Sequence, residues 1–312
     1  MGKIAFVFPG QGTQKVGMGK DFYDAFPAVK KVFDRAGSVT GVDVAKLCFE
    51  ENDQLGQTEY TQLALLTVEV AILRVVESLG ISADYSAGLS LGEYGALAAC
   101  SCMEEEDLFR LIRARGMLMQ EAYPVGGAMC AVLGLDAETI ASICEKTEGI
   151  VSIANDNCPG QIVITGQQES VEQAAAACKE AGAKRCLPLK VSGPFHSKLL
   201  TGAGEKLAGM LETVPVRNLQ IPYVCNLEAR IVEDKEEVKP LLVGQISGPV
   251  RFRESILALA DRGVDTFVEM GPGKTLNGFI RKTCPEAVVY NVEKVEDLEV
   301  LKAALCAGKE QA

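Results

Sequence analysis

Short apolar runs that end in glycine-rich turns alternate along this chain with longer segments of helical periodicity. Lys3–Phe8 is nearly all apolar and precedes Pro9-Gly10-Gln11-Gly12, which predicts a buried parallel strand and a tight turn. The pattern predicts a helix over Thr61–Leu79, a strand over Ala83–Ala87, a second glycine-rich turn and a helix that ends at Cys100. This order of elements is typical of an α/β fold with a parallel sheet.

The middle of the chain has a different order of elements. Its predicted strands and helices are, in turn, the strand Ala128–Gly134, the helix Ala137–Lys146, the strands Ile150–Ala154 and Gln161–Thr165, the helix Glu169–Ala181 and the strand Lys184–Leu189. The order βαββαβ is that of a ferredoxin-like unit. Further strands are predicted near Ile221–Cys225, Thr266–Glu269 and Ala287–Tyr290. We therefore predict a large α/β subdomain (1–125 and 195–312) with an inserted ferredoxin-like subdomain (126–194).

Charge and hydropathy exclude several classes of protein. The 312 residues include 31 Lys+Arg and 42 Asp+Glu, a net charge of −11, which disfavours nucleic acid and anionic membranes as partners. The longest apolar stretch is interrupted by Glu69, Arg74 and Glu77, so it does not predict a membrane span. Ile4–Phe8 is too short for the apolar region of a secretory signal. We expect a cytoplasmic, monomeric protein.

The cysteine and histidine counts limit the possible chemistry. The eleven cysteines are scattered, with one close pair at Cys100 and Cys102 and no Cys-x-x-Cys, so we expect reduced core thiols. With a single histidine as well, we expect no metal site. Any mechanism that needs an imidazole must use His196.

Two short motifs indicate nucleophilic catalysis. Gly88-Leu89-Ser90-Leu91-Gly92 matches G-x-S-x-G, a sharp turn that exposes a serine hydroxyl, although an ordinary Gly/Ser turn has the same pattern. A serine hydroxyl needs a base, and His196, at the predicted subdomain junction, is the one imidazole available.

Arg115 interrupts the apolar face of a predicted helix. Over Glu104–Ala122 that face comprises Leu108, Leu111, Ile112, Leu118, Met119 and Ala122, with Arg115 in its middle, whereas Arg110 and Arg113 fall toward solvent. Desolvating an unpaired cation costs several kcal/mol, so Arg115 requires an anion. That anion is either a buried Asp or Glu or a substrate carboxylate.

The two remaining glycine-rich segments do not fit the known phosphate loops. Pro9–Gln14 has Lys15 where G-x-G-x-x-G requires glycine, and Gly271–Thr275 has Val268 where a P-loop begins with glycine. The turn after the first strand is instead suited to presenting backbone N–H groups to an oxyanion.

Six motifs together resemble those of the malonyl-CoA:acyl carrier protein transacylases, a family that includes acyltransferase domains of polyketide synthases. They span essentially the whole chain and are Phe8-Pro9-Gly10-Gln11-Gly12-Thr13-Gln14, Gly88-Leu89-Ser90-Leu91-Gly92-Glu93-Tyr94, Arg115-Gly116, Asn157-Cys158-Pro159-Gly160-Gln161, Gly193-Pro194-Phe195-His196-Ser197 and Glu269-Met270-Gly271-Pro272-Gly273-Lys274. The resemblance implies an α/β-hydrolase-like subdomain with a ferredoxin-like insert. Many members have His before the serine, where this chain has Leu89, and we interpret this as a packing difference.

The resemblance also implies a role for each matching residue. Ser90 would be the nucleophile that is malonylated and His196 its base, with the backbone N–H groups of Gln11 and Leu91 as the oxyanion hole. Substrate would be held by Arg115, at the malonyl carboxylate, while Asn157 lines the pocket and the backbone carbonyl of Gln245 orients the histidine.

The function expected from this resemblance is malonyl transfer from malonyl-CoA to the phosphopantetheine thiol of acyl carrier protein, in fatty acid or polyketide synthesis. No metal or redox cofactor is implied. Two alternatives are a serine hydrolase or thioesterase on the same scaffold and a non-catalytic relative that binds carrier protein. A buried Arg115 disfavours a simple esterase, and the presence of both Ser90 and His196 disfavours a non-catalytic protein.

Overall fold

A computed structural model describes residues 2–191 and 193–306 of the chain. Residues 1, 192 and 307–312, which belong to the ranges predicted for the two subdomains, lie outside the described part. The strands are β1 (Lys3–Phe8), β2 (Tyr85–Gly88), β3 (Gly127–Leu133), β4 (Val151–Cys158), β5 (Gln161–Gln167), β6 (Arg185–Pro188), β7 (Tyr223–Val224), β8 (Ile231–Val232), β9 (Val264–Met270) and β10 (Val288–Val292).

Most of the α-helices lie between these strands, four of them between β1 and β2, and the last follows β10. They are α1 (Lys20–Ala25), α2 (Pro27–Thr40), α3 (Val44–Phe49), α4 (Thr58–Ser78), α5 (Gly92–Ala99), α6 (Glu105–Ala122), α7 (Ala137–Lys146), α8 (Gln168–Glu180), α9 (Thr201–Leu211), α10 (Val238–Ser247), α11 (Phe252–Asp261), α12 (Thr275–Thr283) and α13 (Asp297–Cys306). Short 3₁₀ turns cover Lys198–Leu200 and Lys235–Glu237.

The large sheet has the strand order β10-β9-β1-β2-β7-β8. Its first five strands are parallel, and β8 pairs antiparallel with β7 at one edge. The last four residues of β1 are buried, as expected for a central strand covered on both faces. The predicted α/β fold with a parallel sheet is confirmed, and the carboxyl ends of β1 and β2 lie side by side.

The central helix of the large subdomain is α4. It packs against α2, α5 and α6, and it is buried on nearly all sides, from Thr58 to Val76. A helix without a polar face must lie inside the protein. The predicted helix Thr61–Leu79 differs from it by three residues at its start and one at its end.

The small sheet is antiparallel, with the order β4-β5-β3-β6. Helices α7 and α8 pack on it through Ile140, Cys144, Val171 and Ala174. The predicted βαββαβ arrangement is confirmed.

Strand β4 is longer than predicted. It runs to Cys158, so the turn predicted over Asn157–Gly160 is shortened to Pro159-Gly160. The alternation of buried and exposed side chains breaks down because the register with β5 shifts twice, between Ile153 and Asn155 and again between Asp156 and Cys158. This end of β4 also binds the large subdomain, through hydrogen bonds from Asp156 N–H to Val250 O (3.0 Å) and from Val250 N–H to Ala154 O (2.7 Å).

The described cysteines lie in the core. All except Cys186 are buried, and none forms a disulfide, while the side chain of Cys306 lies outside the described part. Burial raises the pKa of the Cys130 thiol to about 11. Between residues 2 and 306, apart from residue 192, no group of three or more His, Cys, Asp or Glu side chains is placed to hold a metal ion. None of the described helices is long and apolar enough to span a membrane.

Candidate active site

The turn between β2 and α5 presents Ser90. Ser90 has φ +56°, a left-handed conformation that costs energy for a residue other than glycine. Two side chains hold this backbone: Asn226 Oδ1 accepts from Ser90 N–H (2.7 Å), and Gln245 Nε2 donates to Ser90 O (2.9 Å). A Cβ at Gly92 would overlap with the carbonyl oxygen of Phe8, so glycine is required there. The predicted strand–turn–helix around Ser90 is confirmed.

Ser90, His196 and Gln245 form a hydrogen-bonded chain. The Ser90 Oγ and His196 Nε2 atoms are 2.7 Å apart, and His196 Nδ1 lies 2.9 Å from the backbone carbonyl oxygen of Gln245. A carbonyl can only accept, so Nδ1 carries the proton and Nε2 is left to accept from the serine hydroxyl. The structure thus brings together three residues that are far apart in the sequence.

His196 is buried, with 4% of its surface exposed. Burial and the nearby Arg115 cation lower its pKa to about 4, against an ordinary value of 6.5. At neutral pH the imidazole is therefore uncharged, which is the form that can take a proton from Ser90.

Arg115 is fully buried on α6 and is held by uncharged acceptors. It donates to Gln62 Oε1 (2.7 Å), to Gln245 Oε1 (2.9 Å) and to Ser90 Oγ (3.2 Å). Within the described residues it forms no direct ion pair with a carboxylate, and the buried Glu93 acts on it only through space. Burial lowers the pKa of Arg115. A buried guanidinium beside a serine hydroxyl can bind an anion that enters with a substrate.

The other two arginines of α6 differ in their exposure to solvent. Arg110 is exposed, as predicted. Arg113 was predicted to face solvent, and this is wrong: its side chain is 17% exposed, forms an ion pair with Glu59 (2.6 Å) and stacks over the Tyr60 ring. Its position is explained by α4, which packs against this face of α6. Ala122 was assigned to the apolar face, but it is exposed near the end of the helix.

A cleft of about 370 Å³ opens beside Ser90, between the two sheets. Its size is in the range of small-molecule sites. Gln11 and Leu91 line it from the turns after β1 and β2, and Asn157 lines it from β4. Asn157 is 6% exposed, and its Oδ1 has no hydrogen-bond partner among the described residues.

The turns that carry Gln11 and Leu91 are in direct contact. Leu89 N–H donates to Phe8 O (3.0 Å), which joins the end of β1 to the serine turn. In the described part of the chain, neither Gln11 N–H nor Leu91 N–H donates to another protein atom, so both are available to a bound oxygen. Leu89, at the position where many members of the family have His, is half-buried, packs against the core and also lines the cleft.

Three residues of this site were not singled out from the sequence: Gln62, Asn226 and Glu93. Asn226 follows β7, a neighbour of β2, and ligand contacts are common beyond the carboxyl ends of parallel strands, so its position was a usable signal. Gln62 lies within the apolar pattern of α4, where a buried amide needs partners. Glu93 was visible only as part of a motif.

A model of the acyl transferase domain family matches residues 5–304 of this chain. This chain belongs to the acyl transferase domain family. The malonyl CoA-acyl carrier protein transacylase of Bacillus subtilis (strain 168) is 44% identical over 305 residues, which are 96% of each chain. The resemblance stated from the motifs is confirmed.

Solved structures of the family have the same fold. The crystal structure of a protein named MCAT from Streptococcus pneumoniae is 46% identical and has a TM-score of 0.93, over 97% of this chain and 100% of that chain. A type II polyketide synthase acyl-carrier protein has been solved in complex with its malonyl-transacylase, which is 40% identical with a TM-score of 0.93, over 96% of this chain and 98% of that chain.

Proposed function

We propose that this chain transfers a malonyl group from malonyl-CoA to the phosphopantetheine thiol of acyl carrier protein, through an ester on Ser90. The names of its relatives support both substrates. The observation that carries the proposal is a buried Arg115 that forms no direct ion pair in the described residues and lies 3.2 Å from Ser90 Oγ. In a malonyl thioester the free carboxylate lies two bonds from the reacting carbonyl carbon, so its counter-charge must be close to the nucleophile.

In the first half-reaction, Ser90 Oγ attacks the thioester carbon while His196 Nε2 takes the hydroxyl proton. The backbone N–H groups of Gln11 and Leu91 bind the oxyanion that forms. When the carbon–sulfur bond breaks, His196 gives the proton to the leaving CoA sulfur. The Gln245 carbonyl holds the imidazole ring and stabilises its charged form.

The second half-reaction reverses these steps with a new thiol. The pantetheine thiol gives its proton to His196 and attacks the Ser90 ester, and the serine oxygen leaves and regains a proton. Throughout both steps Arg115 binds the malonyl carboxylate, while Asn157 lines the acyl pocket from the small sheet. Every bond and proton is accounted for by these residues, and the scheme uses no cofactor.

We also propose the division of the chain into a large subdomain (1–125 and 195–312) and a small one (126–194), with the cleft between them. The family's part in fatty acid or polyketide synthesis supports a cytoplasmic location. We also propose a monomer, since the proposed chemistry does not require a residue from a second copy.

Discharge of the acyl-enzyme tests this function against hydrolysis. The protein is loaded with malonyl-CoA, freed of excess donor and divided between buffer, pantetheine-bearing carrier protein and the same carrier protein without pantetheine. We expect rapid loss of the adduct and appearance of malonyl carrier protein only in the second sample. Equal loss in all three samples would indicate a thioesterase, and no loading would indicate a non-catalytic relative.

A further inference from the structure

Glu93 is a carboxylate with no exposed surface, in the first turn of α5 and three residues after Ser90. The reaction scheme above does not use it. Its Oε2 atom accepts two hydrogen bonds, from the backbone N–H of Asn226 (3.0 Å) and from Gln245 Nε2 (2.7 Å). Both donors belong to residues that hold the active site.

These two residues hold Ser90 from both sides. Asn226 Oδ1 accepts from Ser90 N–H, while Gln245 Nε2 donates to Ser90 O as well as to Glu93. The Asn226 side chain also donates to Gly88 O (2.7 Å), at the end of β2. The left-handed backbone of Ser90 is therefore held by the side-chain amides of two residues. Both residues also donate to the Oε2 atom of Glu93, Gln245 through Nε2 and Asn226 through its backbone N–H.

The orientation of the Gln245 amide determines what Arg115 contacts. Its Oε1 accepts from Arg115 Nη2 (2.9 Å), and its Nε2 faces the oxygens of Ser90 and Glu93. A flipped amide would place its NH₂ against the guanidinium and its oxygen against two other oxygens. The Glu93 oxygen opposite Nε2 accepts a hydrogen bond, and this contact holds the amide in the orientation that presents Oε1 to Arg115.

We propose that Glu93 is a positioning residue for acyl transfer, which fixes the Gln245 amide and the Asn226 backbone so that Ser90, His196 and Arg115 are aligned. This inference rests on the proposed function for the identity of the acyl group, but not for the geometry. The required property is an acceptor oxygen at Oε2. The other oxygen, Oε1, has no hydrogen-bond partner in the described part of the chain, so an amide could replace the carboxylate without losing the contacts that matter.

The stability of the fold does not explain a carboxylate at this position. A buried carboxylate with one unused oxygen costs free energy that an apolar side chain of similar length would not. Burial raises the pKa of Glu93 to about 7, although its hydrogen bonds and Arg115 oppose that shift. A proton on Oε1 would leave Oε2 free to accept, so the positioning is independent of the charge on Glu93.

Two variants of Glu93 test the proposal. Glu93→Met removes the acceptor, and Glu93→Gln keeps an oxygen in its place. Glu105→Met is the matched control, since Glu105 is also a buried helical carboxylate but binds Arg35 and Arg74 away from the cleft. Each protein is assayed for malonylation of Ser90 by malonyl-CoA and for labelling of Ser90 by a fluorophosphonate, which needs only an aligned serine and base. Melting temperature is measured in parallel.

We expect Glu93→Met to slow both reactions of Ser90 by about 10- to 100-fold, by analogy with the loss of a partner that orients a metal ligand. Glu93→Gln should restore most of the rate, and Glu105→Met should change the melting temperature alone. A folded Glu93→Met at the normal rate, or a folded Glu93→Gln as slow as Glu93→Met, would overturn the proposal.

The proposal can still be tested if Glu93→Met does not fold or if the protein is not malonylated. If Glu93→Met does not fold, Gln245→Met removes the same amide while leaving the backbone carbonyl for His196, and a normal rate in that variant would contradict the proposal. If the unmodified protein is labelled by the fluorophosphonate but not malonylated, the proposed function fails, while the labelling rates of the variants still test the positioning role.

Discussion

Arg115 carries a full charge into a site where its direct partners are two glutamine oxygens and a hydroxyl. Amide oxygens orient a guanidinium without neutralising it, which leaves the cation able to attract a substrate carboxylate. At the scale of single residues, we propose that this cation decides which acyl group is preferred and that Ser90 and His196 carry out the transfer.

Arg115→Ala should invert the acyl preference. The rate of malonyl transfer should fall roughly 30- to 4,000-fold, because one partner of a buried charge pair is lost. This fall corresponds to a loss of about 2–5 kcal/mol in stabilisation of the transition state. Acetyl transfer should fall less or rise, since an acetyl group has no carboxylate. Rates with both CoA esters measure this, with Arg113→Ala, on the same helix and paired with Glu59, as the control. Equal loss for both donors together with a lower melting point would make Arg115 a structural residue.

The pH dependence of Ser90 acylation should follow the lowered pKa of His196. Because that pKa is about 4, the neutral base persists below pH 6.5, and kcat/KM for malonyl-CoA should stay nearly level from pH 8 to about 5.5. Arg115 is one of the two causes of the lowering, so the acid limb for acetyl-CoA should move to higher pH in Arg115→Ala. A fall in kcat/KM with its midpoint near pH 6.5 in the unmodified protein would contradict the lowered pKa of His196.

Among the elements, the turns after β1 and β2 depend on each other. Gly92 lies where any Cβ would overlap with Phe8 O, so the first turn of α5 is in contact with the end of β1. That contact sets the position of Leu91 relative to Gln11.

Gly92→Ala should therefore distort the serine turn. We expect the free energy of unfolding to fall by about 1–3 kcal/mol, the usual cost of overpacking. The rate of Ser90 acylation should fall strongly as well. Gly278→Ala, in the exposed middle of α12 with nothing within 4 Å of the new Cβ, should instead raise stability by up to about 1 kcal/mol. Denaturant unfolding of both variants checks the pair, and a fully stable and active Gly92→Ala would show that the two turns are not tightly coupled.

The same elements show what the sequence can and cannot predict. Helix α7 was predicted at the residues where it lies, because apolar periodicity and its Asp136 cap are local signals. The end of β4 was missed because its pairing with Val250 comes from another subdomain. Ser90 was found from its motif and His196 from the histidine count. Asn226 had a signal in its place after a predicted strand, whereas the burial of Arg113 depends on which helices pack together.

The whole molecule carries a net charge of −11, and acyl carrier proteins are generally acidic, so docking requires a local basic surface. Lys184, Arg185, Lys190 and Lys198 are all exposed and lie close to His196 in the sequence, and Lys190 also lines the cleft. We name these four residues the junction patch.

Charge reversal in the junction patch should separate the two half-reactions. Lys190→Glu with Lys198→Glu should slow transfer to carrier protein roughly tenfold or more at low salt, while malonylation by malonyl-CoA changes little. Rising salt should reduce the difference, since the screening length is about 10 Å at 0.1 M. Lys46→Glu with Lys302→Glu makes the same charge change at exposed sites outside the cleft and should leave both steps unchanged. An unaffected second step in the junction variant would place docking on another face.

The most direct test of the central claim is the mass of the intact protein after brief exposure to malonyl-CoA, followed by peptide mapping. We predict one malonyl unit per chain, located on Ser90 and absent from a folded Ser90→Ala protein. Among the described residues that line the cleft, Ser90 is the nucleophile with both a base and a counter-charge in direct contact. An adduct that persists in Ser90→Ala, or one that maps to a cysteine, would contradict it.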